Sequence, residues 1–261
     1  MKKTSLFVVL MLITVIGAGT ASFAACTATT LSTAPGVWGI ESYGSSPGGL
    51  DNILMQVTFV SGGTFTGTEY QSIAGTLSTF AISGTWAMAS PASTCQGTMI
   101  VTSPSTQTFN FALDNGGKGG NIVQIDPGYT QVGFMVAQGT ITAGCSNKLS
   151  KNKQFSLYSN GTIPAVGGLV TGTGELKFDG KTPGGITAIP YVTLDLGGAG
   201  NFVLPATGTY TTNPNCTGTG TLTPTGLGSS FSVDSVVVAG GKEFLWIVTN
   251  PGDNISGYFL Q

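Results

Sequence analysis

Thr106-Gln107-Thr108-Phe109-Asn110-Phe111-Ala112-Leu113 alternates polar and apolar residues and places Phe109, Phe111 and Leu113 on one face of an extended chain. That period of two belongs to a strand buried on one side. Further along, Phe231, Val233 and Ser235 continue the same phase. On either side, short runs rich in Val, Ile, Phe, Tyr and Thr are separated by Gly, Pro and Asn clusters, roughly every 8–12 residues. No segment after residue 25 has the pattern of an amphipathic helix. The first half yields eight candidate strands, at roughly 36–43, 53–60, 64–70, 78–88, 97–103, 107–113, 120–126 and 131–138.

The same half is then written a second time. Gly84-Thr85-Trp86 recurs as Gly208-Thr209-Tyr210, and Gly116-Gly117-Lys118 recurs as Gly240-Gly241-Lys242, both at an offset of 124. Cys95-Gln96-Gly97-Thr98 recurs as Cys216-Thr217-Gly218-Thr219 at an offset of 121. Asp126-Pro127-Gly128 matches Asn250-Pro251-Gly252, and Gly133-Phe134 matches Gly257-Tyr258. The order of the five matches is preserved. The Gly-Gly pairs read as hairpin turns, because glycine accepts positive φ, and Pro127 and Pro251 pre-set the second position of a turn. The fold class expected is all-β: two tandem antiparallel modules of about eight strands each, as barrels or as sandwiches. The first copy covers 25–138, a polar Lys-rich joint covers 139–153 and includes the start of the second copy, and the rest of that copy covers 154–261.

The four cysteines keep the same period. Cys26 and Cys95 are 69 residues apart, and Cys145 and Cys216 are 71 apart. One bridge per copy is the simplest of the three connectivities open to four cysteines. Closing a loop of that size stabilises a domain by about 4 kcal/mol in the chain-entropy model.

The N-terminus reads as an export signal over residues 1–24. Lys2 and Lys3 precede an apolar run of 11 residues, Leu6 to Ile16, and Ser22-Phe23-Ala24 has small residues at −3 and −1 of a cleavage point. The run falls short of the roughly 20 residues that span a bilayer. No later stretch reaches that length uninterrupted, so no membrane span is expected in the mature chain. Phe23-Ala24-Ala25-Cys26 loosely resembles a lipoprotein box, the alternative processing route, although lipidating Cys26 orphans another cysteine. The expected location is therefore outside the cell or in its envelope, where disulfides persist.

Only 8% of the residues are charged, with nine Lys, no Arg and no His against eleven acids. Nucleic-acid binding requires a basic footprint, which is absent. Lys148, Lys151 and Lys153 form the one basic cluster and read as a solvated loop. Without His, Ser-His-Asp and Cys-His catalysis and His-ligated metals are excluded. No Gly-rich stretch ends in Lys-Ser/Thr, so there is no P-loop. Asp114-Asn115-Gly116 and Asp179-Gly180 contain oxygen ligands but read first as turns. Of the acids, Glu41, Asp51, Glu69, Asp114, Asp126, Glu175, Asp179, Asp195, Asp234, Glu243 and Asp253, none sits in a recognised motif and most adjoin turn residues. Asp126 becomes Asn250 in the second copy, so no catalytic acid kept in both copies is visible there, although a site in one copy stays open. Lys118 and Lys242 match across the copies and read as hairpin lysines that keep an edge soluble. Trp38, Tyr43, Tyr70 and Tyr129 are able to stack on a sugar or a planar ligand if exposed, with core packing as the default role. Asn160-Gly161-Thr162, Asn215-Cys216-Thr217 and Asn254-Ile255-Ser256 match the glycosylation sequon.

At Gly208-Thr209-Tyr210…Cys216-Thr217-Gly218-Thr219 the chain resembles a group of secreted bacterial proteins of unknown function, of acidobacterial type. Gly241-Lys242-Glu243, Pro251-Gly252 and Ser256-Gly257 extend the likeness over about 50 residues, whereas the first copy departs, with Gly119 after Lys118 and Val132 in place of the closing Ser. The resemblance implies a structural module and brings no activity. A distant analogy to allene oxide cyclase and dirigent-type barrels rests on strand count and export alone.

The leading functional expectation is a non-enzymatic exported module for binding, adhesion or envelope structure, with Trp86, Tyr210, Lys118, Lys242, Pro127, Pro251, Phe134 and Tyr258 as repeat-equivalent structural positions. No catalytic residue, cofactor or metal is implied. The partner is unknown: a small apolar ligand, a glycan or an envelope component. The alternatives are a carrier of a small apolar ligand inside the barrels and, behind it, a barrel cyclase, isomerase or carboxylate glycosidase.

Overall fold

The structure is a computed structural model that describes residues 29–32, 36–89, 94–114, 117–141, 144–163, 168–197 and 200–261. The expected leader and Cys26 lie outside the described residues. The chain forms two closed antiparallel barrels of eight strands, which decides between barrel and sandwich. Closure leaves no strand edge in the ring unpaired.

The first barrel comprises β1 (Val37–Ser46), β2 (Gly49–Val60), β3 (Thr64–Ile73), β4 (Thr76–Met88), β5 (Gln96–Ser103), β6 (Gln107–Leu113), β7 (Gly119–Gln124) and β8 (Val132–Ala137). Each strand pairs with its successor, and β8 returns to β1. The alternation at 107–113 holds: Phe109, Phe111 and Leu113 are buried in the barrel.

The second barrel repeats the circuit with β9 (Lys153–Ile163), β10 (Gly168–Phe178), β11 (Gly184–Leu196), β13 (Ala206–Thr212), β14 (Thr217–Pro224), β15 (Phe231–Val238), β16 (Glu243–Val248) and β17 (Asn254–Leu260). β12 (Gly200–Leu204) pairs with β11 alongside β13. Together β12 and β13 replace the long β4. Pro205, which has no N–H for the ladder, lies at the break between them.

One end of each barrel is closed in the same way. A helical turn, Thr29–Ser32 or the 3₁₀ turn Asn147–Ser150, precedes the first strand. Trp86 and Tyr210 occupy equivalent places and are both buried. The indole Nε1 of Trp86 donates to the carbonyls of Val60 and Thr64 in the β2–β3 turn. The Tyr210 hydroxyl accepts from the Gly180 N–H in the equivalent β10–β11 turn and bonds Ser150 Oγ at 2.7 Å. Different chemistry thus ties the same strand to the same turn. Cys145 is bonded to Cys216. Cys95 is also disulfide-bonded, and its expected partner Cys26 lies outside the described residues. Cys95 and Cys216 share an uncommon positive φ, 54° and 67°.

The barrels touch through their outer faces. Leu54 of β2 packs with Val236, Val238, Leu245 and Ile247 of β15 and β16, all fully buried. Phe134 and Tyr258, matched in sequence, meet each other edge-on across this seam at 5.6 Å. Gly39 is required here, because a Cβ would lie 2.6 Å from Val238 Cγ1. β16 is therefore buried on both faces over Phe244–Val248, and alternation disappears from its sequence.

Candidate binding site in the second barrel

The two barrels share a backbone plan and differ in what fills it. In the first, Met99, Phe109 and Phe111 are buried and fill one wall. An eight-stranded barrel has an interior just wide enough for such side chains. Strand pairing puts Gly220, Val233 and Ser235 in the corresponding places of the second barrel. The smaller groups leave a cavity of about 50 Å³. A water needs about 10–15 Å³ on this measure, so the space admits a small ring or a short chain.

Gly97 and Gly218 show how the difference arises. A Cβ on Gly97 would lie 2.3 Å from the ring of Phe111, so glycine is needed to seat that ring. Gly218 stands at the equivalent place facing Ser235, where no ring is present.

The cavity wall is apolar, with Leu157, Val170, Leu194, Trp246, Ile255 and Phe259 among its residues. Phe231, Val233 and Leu222 face inward yet are only half-buried, so solvent reaches them. Tyr210 lies at the tied end, where burial raises its hydroxyl above the usual range and its hydrogen bonds with Ser150 and Gly180 oppose the rise. Among the described lining residues there is no carboxylate and no lysine. The wall therefore offers dispersion and dehydration to a ligand, and no acid or base of carboxylate or amine type.

The remaining positions singled out in the sequence sort plainly. Lys118 and Lys242 are exposed on their hairpins, and their carbonyls accept equivalent bonds from Ala137 and Gln261. Pro127 and Pro251 sit in turns completed by Gly128 and Gly252, both at φ 89°. Asp126 and Asn250 do one job: each side-chain oxygen accepts the backbone N–H of the second residue of the preceding hairpin strand, Thr108 of β6 or Ser232 of β15. Asp179 accepts the N–H groups of Lys181 and Gly185, which holds its carboxyl below the usual range and makes it a turn residue. Of the four aromatics considered for stacking, Trp38 is core, Tyr70 and Tyr129 are half-buried, and Tyr43 is exposed.

The reading of the acids as mainly turn residues needs correction at three positions. Glu41, Asp51 and Glu69 are all buried. Glu41 faces the seam between the barrels, while Asp51 and Glu69 face the interior of the first. Their strands carried a usable signal. Asp51 has the same parity as Ile53, Met55, Val57 and Phe59, so an acid stands at a core phase.

No protein-family model and no curated protein matches this chain. Among the described residues no helix is long and apolar enough to cross a membrane.

Proposed function

We propose that this is an exported, non-enzymatic binding protein whose second barrel takes up a small apolar molecule, a single ring or short alkyl group. The observation that carries the reading is the replacement of Met99, Phe109 and Phe111 by Gly220, Val233 and Ser235 in a barrel that otherwise keeps its plan. Burying apolar ligand surface is worth about 25 cal/mol per Å², and such a wall needs no other chemistry to bind. Export is supported by the basic n-region, the short apolar run and the bonded cysteines.

Toluene is a suitable probe, followed through Trp246, which lines the cavity. Titration into the full chain should change tryptophan emission saturably and raise the melting temperature. Val233→Phe, which restores the residue type of Phe109, should abolish both effects while the protein stays folded by circular dichroism. Toluene binding that is absent in the wild type, or unchanged in Val233→Phe, would overturn the assignment.

A further inference from the structure

The first barrel is polar at the end where the second is open. Asp51, Glu69, Gln107, Gln124 and Gln131 are all more than nine-tenths buried there. The amides point their nitrogens at carboxylates. Gln71 Nε2 donates to Asp51 Oδ2 at 3.0 Å, Gln107 Nε2 to Glu69 Oε1 at 3.1 Å, and Gln124 Nε2 to Asp126 Oδ2 at 2.9 Å. Ser42 Oγ donates to Gln131 Oε1 at 2.9 Å. These bonds leave four buried oxygens with no protein donor: Asp51 Oδ1, Glu69 Oε2, Gln107 Oε1 and Gln124 Oε1. Gln131 Nε2 makes no close bond, although its side chain lies near enough to Asp51 to favour the ionised carboxyl. A buried polar atom left unpaired costs about 1–3 kcal/mol, so a set of this kind requires an explanation.

The duplication removes the simplest one, that the fold needs these groups. Strand pairing and the repeat offset put Val170, Val192, Phe231, Val248 and Ile255 where the first barrel has Asp51, Glu69, Gln107, Gln124 and Gln131. Leu194 likewise replaces Gln71. The second ring closes with an apolar set.

We propose that this end of the first barrel binds one hard divalent cation, calcium by preference, through Asp51 Oδ1, Glu69 Oε2 and the amide oxygens of Gln107 and Gln124. The donors are all oxygen, as calcium requires, and the two carboxylates balance its charge. Calcium accepts six to eight oxygens in flexible geometry, so two-oxygen carboxylates and water can complete its shell, whereas magnesium demands a near-ideal octahedron. Gln71 is half-buried at the rim and marks the way in. Without a cation, burial raises Asp51 to about 6 and Glu69 to about 7, only partly opposed by the side chains of Gln71, Ser46 and Gln131 at Asp51 and of Gln107 at Glu69. A bound cation favours the ionised forms.

The test is calorimetric titration of calcium chloride into the chelator-treated full chain at pH 7.5, with thermal unfolding in parallel. One equivalent should bind, and the melting temperature should rise by several degrees at saturation. Glu69→Gln, which keeps the shape and the fold by circular dichroism, should weaken binding at least tenfold, while Asp179→Asn at the exposed turn should leave it unchanged. If the wild type shows neither heat nor a melting shift with calcium, the proposal is overturned whatever the variants do, and the end is filled by water alone. Undiminished binding in Glu69→Gln, or its loss in Asp179→Asn, would also overturn it.

Discussion

Glu69 in the first barrel and Val192 in the second hold the same place in their rings. Each faces inward on the third strand and pairs with the equivalent residue of the second, Met55 or Gly174. One carries a buried carboxyl hydrogen-bonded to Gln107, the other an isopropyl group beside an apolar cavity. A single β plan therefore supports two opposite interiors.

The contrast can be tested on stability. Glu69→Val alone strands the Gln107 amide and should lower unfolding stability by about 1–3 kcal/mol. Adding Gln107→Phe, which recreates the Val192 and Phe231 pair, should recover at least that loss, because removing both partners of a buried polar contact is nearly neutral. Urea unfolding in the presence of a chelator measures both. Additive losses in the double variant would show that the two side chains are not coupled.

The buried carboxyls set a pH dependence. Burial raises Glu41 to about 8, with a smaller contribution from Glu243 and an opposing hydrogen bond from Ser256, alongside about 7 for Glu69 and about 6 for Asp51. A carboxyl that holds its proton more tightly when folded contributes its full stability below the unfolded pKa, near 4, and loses it as pH rises through the folded value. In chelator, the melting temperature should therefore be highest at mildly acidic pH and fall between about pH 5 and 8, each group contributing up to roughly 1.4 kcal/mol per pH unit crossed. Glu41→Gln should flatten the upper part of that fall. A melting temperature that climbs from pH 5 to 8 would contradict the assignment.

The seam makes the barrels interdependent. Leu245 is fully buried on the outer face of its strand, against the first barrel. Leu245→Ala should cost about 2–5 kcal/mol. It should also separate unfolding into two steps as the barrels uncouple. Urea transitions followed by tryptophan emission and by far-ultraviolet dichroism are expected to coincide in the wild type and diverge in the variant. Coincident curves with a loss below about 1 kcal/mol would mean that the seam adds little.

Much of this architecture was legible because strand signals are local. Phe109, Phe111 and Leu113 announce their shared face within seven residues, and the Gly-Gly and Pro-Gly pairs announce the turns. All eight strands expected in the first copy are present, with ends shifted by a few residues. The candidate site was less legible. The inward phase of Phe231, Val233 and Ser235 was clear, but an inward Ser looks like a lapse in the pattern until the missing Phe111 ring is set beside it. The seam left a trace in Val236-Val237-Val238, where alternation stops, yet that run does not say what covers its second face.

By itself, the sequence determined the repeat, the strands and their turns, since each depends on residues a few positions apart or on one copy matched against the other. Only the tertiary structure decided that the modules are barrels, that one interior is polar at the end where the other is open, and that Glu69 meets Gln107 from a strand 38 residues away. Ring closure joins side chains from strands that are not neighbours, and no local period records which of them will face each other across the interior.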